Sequence, residues 1–220
     1  EARGTGAPAL AVLRPDERRT PRPLTLDLGG RSLQLGGSYE ASIEGRFDFD
    51  LDATRQRHRD VQEHELKLQA RLDLGGRVTA FAQAVALADR RVARRDGSVQ
   101  TRQWWERGQA WLMAEGLAGQ PLSVQVGRVA LLERRAWWWD EDLDAVRMVY
   151  APAGWRLETG LARELGRTSS ARPGLDPQQR GITRWYGQGA WTWAPRQRAE
   201  LFWLRANDRS GIAAPGTALP

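Results

Sequence analysis

The sequence predicts an all-β chain: an antiparallel transmembrane β-barrel of which about nine strands are present. Three observations carry the prediction. Between Ser38 and Asp52 apolar or side-chain-free residues (Tyr39, Ala41, Ile43, Gly45, Phe47, Phe49, Leu51) alternate without error with polar ones. Successive strand side chains point to opposite faces, so this is one long strand with a greasy face and a charged face. Similar segments recur along the 220 residues. The connections between them alternate short and long, as in barrels with tight turns on one rim and long loops on the other.

In chain order, residues 1–30 are rich in Pro, Gly and Arg (Pro8, Pro15, Pro21, Pro23) and read as an irregular N-terminal arm. Residues 31–206 are assigned to the barrel and residues 207–220 to a loop-like or truncated tail. The first strand is 38–52. In the second, 61–74, Leu66, Leu68, Ala70, Leu72 and Leu74 alternate with Glu65, Lys67, Gln69, Arg71 and Asp73. A helix competes here, because Val61, Leu68 and Leu72 would share a face, but five consecutive alternations favour the strand. The third strand, 77–88, has small residues at every even position from Val78 to Ala88. The fourth, 102–115, sets Trp104, Ala110, Leu112 and Ala114 against Arg107, Gln109 and Glu115. The fifth and sixth are 122–131 and 143–150. The seventh, 155–164, sets Trp155, Leu157 and Leu161 against Arg156, Glu158 and Glu164. The eighth, 183–194, opposes Trp185, Trp191 and Trp193 to Arg184, Tyr186, Gln188 and Thr192. The ninth, 197–206, opposes Ala199, Leu201 and Trp203 to Arg198 and Glu200.

Residues 75–76, 116–121, 151–154 and 195–196 form tight turns. Residues 53–60, 89–101, 134–142 and 165–182 form long charged loops, the second of them holding the basic run Arg90, Arg91, Arg94 and Arg95. Trp104, Trp105, Trp155, Trp185, Trp193 and Trp203 lie near segment ends, where interfacial girdles form. Nine strands are an odd number for a closed single-chain barrel, which suggests part of a larger one.

Bulk composition narrows the chemistry. The chain has 33 basic and 27 acidic residues, and Lys67 is its single lysine, so the positive charge is nearly all arginine. Mean hydropathy is −0.58, and no apolar run approaches the ~18 residues of a membrane helix. Cys is absent and only His58 and His64 are present, which argues against a disulfide framework, a thiolate site or zinc chemistry. The acidic run Asp140, Glu141 and Asp142 invites a glycoside-hydrolase reading. A loop end held by arginines such as Arg128 is the preferred reading, so no enzyme and no metal or cofactor are expected.

The stretch 126–149 contains Gly127, Arg128, Glu133, Trp138, Trp139, Asp140, Leu143, Asp144 and Ala145. This pattern resembles the alginate-export family of outer-membrane barrels: a Gly-Arg strand, an acidic loop residue, Trp residues, an Asp, then an acidic-Ala restart. Residues 31–37, the Phe-Asp-Phe-Asp-Leu-Asp run at 47–52, and Arg107 with Gln109 are also similar, so the likeness spans roughly residues 22–206. Where the family carries further basic residues, this chain has Val129, Ala130 and Leu132. The resemblance therefore implies an acidic glycan more firmly than alginate itself. It implies a monomeric barrel of about eighteen strands in the bacterial outer membrane. It also implies a lumen that passes an anionic uronate polysaccharide. Implied partners are that polymer, outer-membrane lipid and lipopolysaccharide, and periplasmic secretion-complex proteins, with no nucleic acid.

A polyuronate carries one carboxylate per sugar, and arginine stays protonated and grips carboxylates bidentately. Weak sites in series attract the polymer and still release it. The expected pore-lining residues are Arg46, Arg107, Arg128, Glu133, Asp140, Arg156, Arg184 and Arg198, with Arg128 near a constriction and Arg71 ranked lowest. Cross-strand acids (Glu44, Asp73, Glu158, Glu200) are the competing partners of these arginines.

Overall fold

The structure, a computed structural model, describes residues 23–46, 59–93, 97–132, 140–177, 179–209 and 211. These form ten strands: β1 (Leu24–Asp27), β2 (Ser32–Arg46), β3 (Arg59–Gly75), β4 (Val78–Ala93), β5 (Val99–Ala114), β6 (Leu122–Leu132), β7 (Asp140–Tyr150), β8 (Trp155–Arg163), β9 (Ile182–Ala194) and β10 (Gln197–Asp208). A single 3₁₀ turn, Leu117–Gly119, interrupts the all-β pattern among the described residues. All ten strands join one antiparallel sheet in sequence order, each paired to its chain neighbours. The sheet is not closed: β1 pairs β2 and β10 pairs β9, and β1 and β10 do not pair with each other.

Several boundaries differ from expectation: β2 begins at Ser32 rather than Ser38, and β7 begins at Asp140, so Asp140, Glu141 and Asp142 lie in a strand rather than at a loop end. The arm assigned to residues 1–30 contributes β1, whose Leu24 and Leu26 pair with Leu35 and Leu33. Strands also run past the ends of their apolar alternation: β4 continues to Ala93 and β5 begins at Val99, with Arg91 opposite Gln100 and Val92 opposite Val99. Alternation is visible only where one face is apolar, whereas the backbone ladder continues wherever N–H and C=O groups face each other. The basic run is thereby split. Arg90 and Arg91 lie in β4, while Arg94 and Arg95 lie outside the described residues.

One face of the sheet is covered and the other open. Phe81, Trp111, Met113, Leu143, Ala162 and Tyr186 form one buried cluster, against which Phe202 packs. These residues come from strands β4 to β10, so the sheet must curl around this face. Phe81 and Trp111, directly opposed in register, stack at 5.2 Å between ring centroids. On the open face Ile43 is 80% exposed and Leu201 72%, alongside exposed Leu68, Trp185 and Trp191.

A bulge resets the alternation in β5. Ala82 opposes Ala110 and Ala84 opposes Arg107, so Gly108 and Gln109 together face Gln83. Beyond it Trp104 and Glu106 share the covered face with Leu87 and Val85. Trp105 and Arg107 lie on the open side with Ala86 and Ala84. The sequence had placed Trp104 with Ala110 and Leu112 and Arg107 with Gln109; the extra residue reverses both.

The seam between β5 and β6 then opens. Their pairing stops at Ala110 and Arg128, although both strands continue. Gly127 marks the departure: its φ of +129° suits glycine, and any Cβ there would collide with the Ala110 carbonyl and the Trp111 backbone. Past it Val129, Ala130 and Leu131 are all buried, so both faces of the β6–β7 hairpin end are covered. The edge of β5 left vacant is taken by the β8–β9 connection. Arg107 N–H donates to the Thr168 carbonyl (2.7 Å), Ser170 N–H to the Trp105 carbonyl (2.8 Å), and Glu106 bridges to Ser169.

Candidate functional site

The opened seam, the covered faces of β3–β5 and the 166–172 segment enclose a cavity of about 790 Å³. Six basic side chains line it (Lys67, Arg91, Arg102, Arg107, Arg128 and Arg172) against four acids (Glu65, Asp89, Glu106 and Asp142). Gln83 and Gln109 complete its polar wall.

Arg107 and Arg128, expected as pore-lining residues, both reach this cavity. Arg107 does so from the open-face side of β5, because β6 no longer closes the wall there. Its guanidinium donates to both Asp144 carboxylate oxygens, at 3.1 and 3.0 Å, and Asp144 also accepts from Leu165 N–H at 2.8 Å. In Arg128, Nε and Nη1 are buried without a hydrogen-bond partner, with Asp142, Asp144 and Glu164 acting on it electrostatically.

Arg156, Arg184 and Arg198 are held by acids elsewhere. Arg156 bridges Glu158 at 2.9 Å, and Arg198 bridges Glu200 at 2.5 Å. Arg184 donates to Gln179 (2.6 Å) and lies 3.6 Å from Glu141. Arg71 sits on the covered face opposite Phe81. The backbones of Arg46 and Asp140 pair with Arg59 and Leu132. The side chains of Arg46 and Asp140, and all of Glu133, Trp138 and Trp139, lie outside the described residues.

Sequence reasoning missed a deeply buried ion pair. Arg147 lies 3.6 Å from Glu158, hydrogen-bonds Gln125, which opposes it in register, and donates to the Ala130 carbonyl. Its signal was present: a lone cation at the position where Leu143, Ala145 and Val149 set the parity of a covered stripe. Asp89 and the 166–172 segment were also missed, since the bulge and the opened seam that position them leave no periodic trace, and Gln109 was legible only through the family likeness. Among the described residues, no group of three His, Asp or Glu side chains is placed to hold a metal ion. In comparisons with known proteins, no family model and no curated protein matches the chain.

Proposed function

We propose that the chain is part of an outer-membrane β-barrel porin that exports an anionic, uronate-type exopolysaccharide. One observation carries the reading: the open face bears a broad set of large apolar side chains, while the covered face holds the buried ion pair Arg147–Glu158 beside its apolar cluster. Exposed Ile43, Leu68, Trp191 and Leu201 oppose a face bearing Arg147, Glu158 and Arg184. A water-soluble monomer rarely exposes so many large apolar side chains on one face, whereas a lipid-facing sheet requires them. On its open face β8 carries Trp155, Leu157 and Leu161, broken by Thr159, a predominantly apolar stripe that suits a lipid-facing strand.

Aromatic placement supports the same reading. Trp155 and Trp191 stack at 5.3 Å, and Trp191 meets Trp193 at 5.0 Å, beside the tight turns after β7 and β9. Such a belt belongs at a membrane interface. The cavity's surplus of guanidinium groups over carboxylates favours anions, and their partial pairing keeps each contact weak enough for release. The resemblance around Gly127 and Arg128 supplies the polymer class. Because many arginines are already paired with acids, a general anion-selective diffusion pore is the second reading.

Planar-bilayer recording tests both. The polymer reading expects anion-selective conductance that uronate oligomers block. Anion conductance indifferent to those oligomers would leave the general pore, and a chain that folds without detergent and shows no conductance would defeat both.

A further inference from the structure

The open face of the sheet differs between its two ends. The tight-turn end, where β3 meets β4 and β7 meets β8, carries Leu72, Leu112, Met148, Tyr150, Trp155 and Trp191. Among the described strand residues, no charged side chain shares that half of the open face. The opposite end, where β4 meets β5 and β8 meets β9, is basic. Arg90 of β4 lies between Gln62 and Thr101 in register. Arg163 of β8 faces Thr183, which in turn faces Asn207. One row nearer the middle of the sheet, Trp185 faces Arg205. Each of these arginines is exposed, without an ion pair or side-chain hydrogen bond among the described residues.

A charged side chain near either membrane interface costs little, so tolerance alone would scatter arginines over both ends. Confinement to one end calls for an anion there. The nearest acids in the ladder do not supply it. Asp144, opposite Arg163, is engaged by Arg107 and by Leu165 N–H. Asp60, one row from Arg90, leaves the band with a surplus of cations. Guanidinium binds phosphate oxygens bidentately, and the Thr, Asn and Gln side chains in register with the arginines add neutral donors beside them. Arg163 and Arg205 stand on strands two apart, roughly 10 Å across the sheet, with Thr183 and Trp185 between them. Trp185 is 53% exposed where the apolar stripe gives way to this polar band, the level at which an indole meets lipid headgroups.

We infer that this end of the open face binds the phosphate groups of an anionic lipid headgroup, with Arg163, Thr183, Arg205 and Asn207 at its centre and Arg90 extending the band on β4. The inference rests on the reading of the open face as lipid-facing. It concerns a surface separate from the cavity at Arg107 and Arg128.

The test is titration of the full chain, refolded in uncharged maltoside micelles, with diphosphorylated lipid A, the same lipid stripped of phosphate, and inorganic phosphate. Binding is read by native mass spectrometry. Lipid A is expected to bind saturably, and its dephosphorylated form about tenfold or more weaker. Arg163→Ser with Arg205→Ser should weaken lipid A binding about threefold or more, and adding Arg90→Ser about tenfold or more. Arg196→Asn, in the tight turn after β9, should stay within about twofold of wild type. Lipid A binding unaltered by the variants, or by loss of the phosphates, would overturn the inference and leave the export reading in place. Inorganic phosphate binding as tightly as lipid A would overturn it too, since the band would then be a site for soluble anions. A chain that enters neither micelles nor phosphatidylcholine bilayers would remove the lipid-facing reading, and this inference with it.

Discussion

Arg107 and Asp144 meet at 3.0 Å across strands that are not neighbours in the sheet, β5 and β7. The contact exists because β6 turns away from β5 at Gly127 and leaves a seam that the β8–β9 connection fills. Asp144 holds both sides of that repair, accepting from Arg107 and from Leu165 N–H.

Removing Asp144 should therefore loosen the 166–172 segment before it unfolds the sheet. Asp144→Ala deletes charge-assisted bonds at a mostly buried carboxylate, a loss of about 1–2 kcal/mol after allowance for the partly exposed Arg107. Limited proteolysis of this segment should accelerate about 5–30-fold. Equal cleavage rates in wild type and variant would show that the ion pair does not secure it.

Gly127 is the hinge of the departure. Gly127→Ala places a methyl group against the β5 backbone at a φ that L-residues rarely adopt. A cost of about 2 kcal/mol or more is expected in urea unfolding from micelles. A variant within a few tenths of wild type would mean that β6 does not bend there.

Arg147 and Glu158 form the buried ionic centre. Arg147→Met leaves Glu158 with Arg156, Gln188 and the Tyr186 hydroxyl as its polar contacts and removes one of its two cations, a loss of about 1–3 kcal/mol. Arg147→Met combined with Glu158→Leu should recover much of it. If the double variant is no better than the single, the pair is not the coupled unit described here.

Glu115, in the turn after β5, titrates above the usual glutamate value of 4.5 because burial outweighs the opposing pull of Arg71 and Arg77. A carboxyl whose folded-state pKa is raised contributes stability below its unfolded value and loses it as pH rises through the folded value. Glu115→Gln should thus match wild type below pH 4.5 and exceed it slightly above. The checking measurement is the unfolding midpoint of both proteins across pH; parallel curves at every pH would refute the shift.

Arg128 lines the cavity. Arg128→Glu should lower the anion-to-cation permeability ratio in bilayers, and unchanged ion selectivity would remove Arg128 from any constriction.

The alternation of Leu66–Leu74 and the even-numbered alanines of β4 announced their strands, because one apolar face per strand writes a period of two. The order of the sheet followed from tight turns at Gly76, Gly154 and Pro195. Three features left no such record. β1 is too short to show a period, the Gly108–Gln109 bulge shifts parity without altering composition, and the path of β6 past Gly127 depends on β5, distant in sequence. The site suffered accordingly. Arg107 and Arg128 were legible as cations near a Gly-Arg motif, but Asp89, Gln109 and Trp104 meet only through the bulge and the opened seam.

That vacated edge also dictates an order of assembly. Ser170 reaches back 65 positions to bond Trp105, and it can do so only after the intervening hairpin has swung clear. Closing so wide a loop is slow compared with zipping adjacent ribbons. The Trp105–Ser170 contact is therefore expected to form after the hairpins on either side of it, with the far half of the β5 edge left open until then.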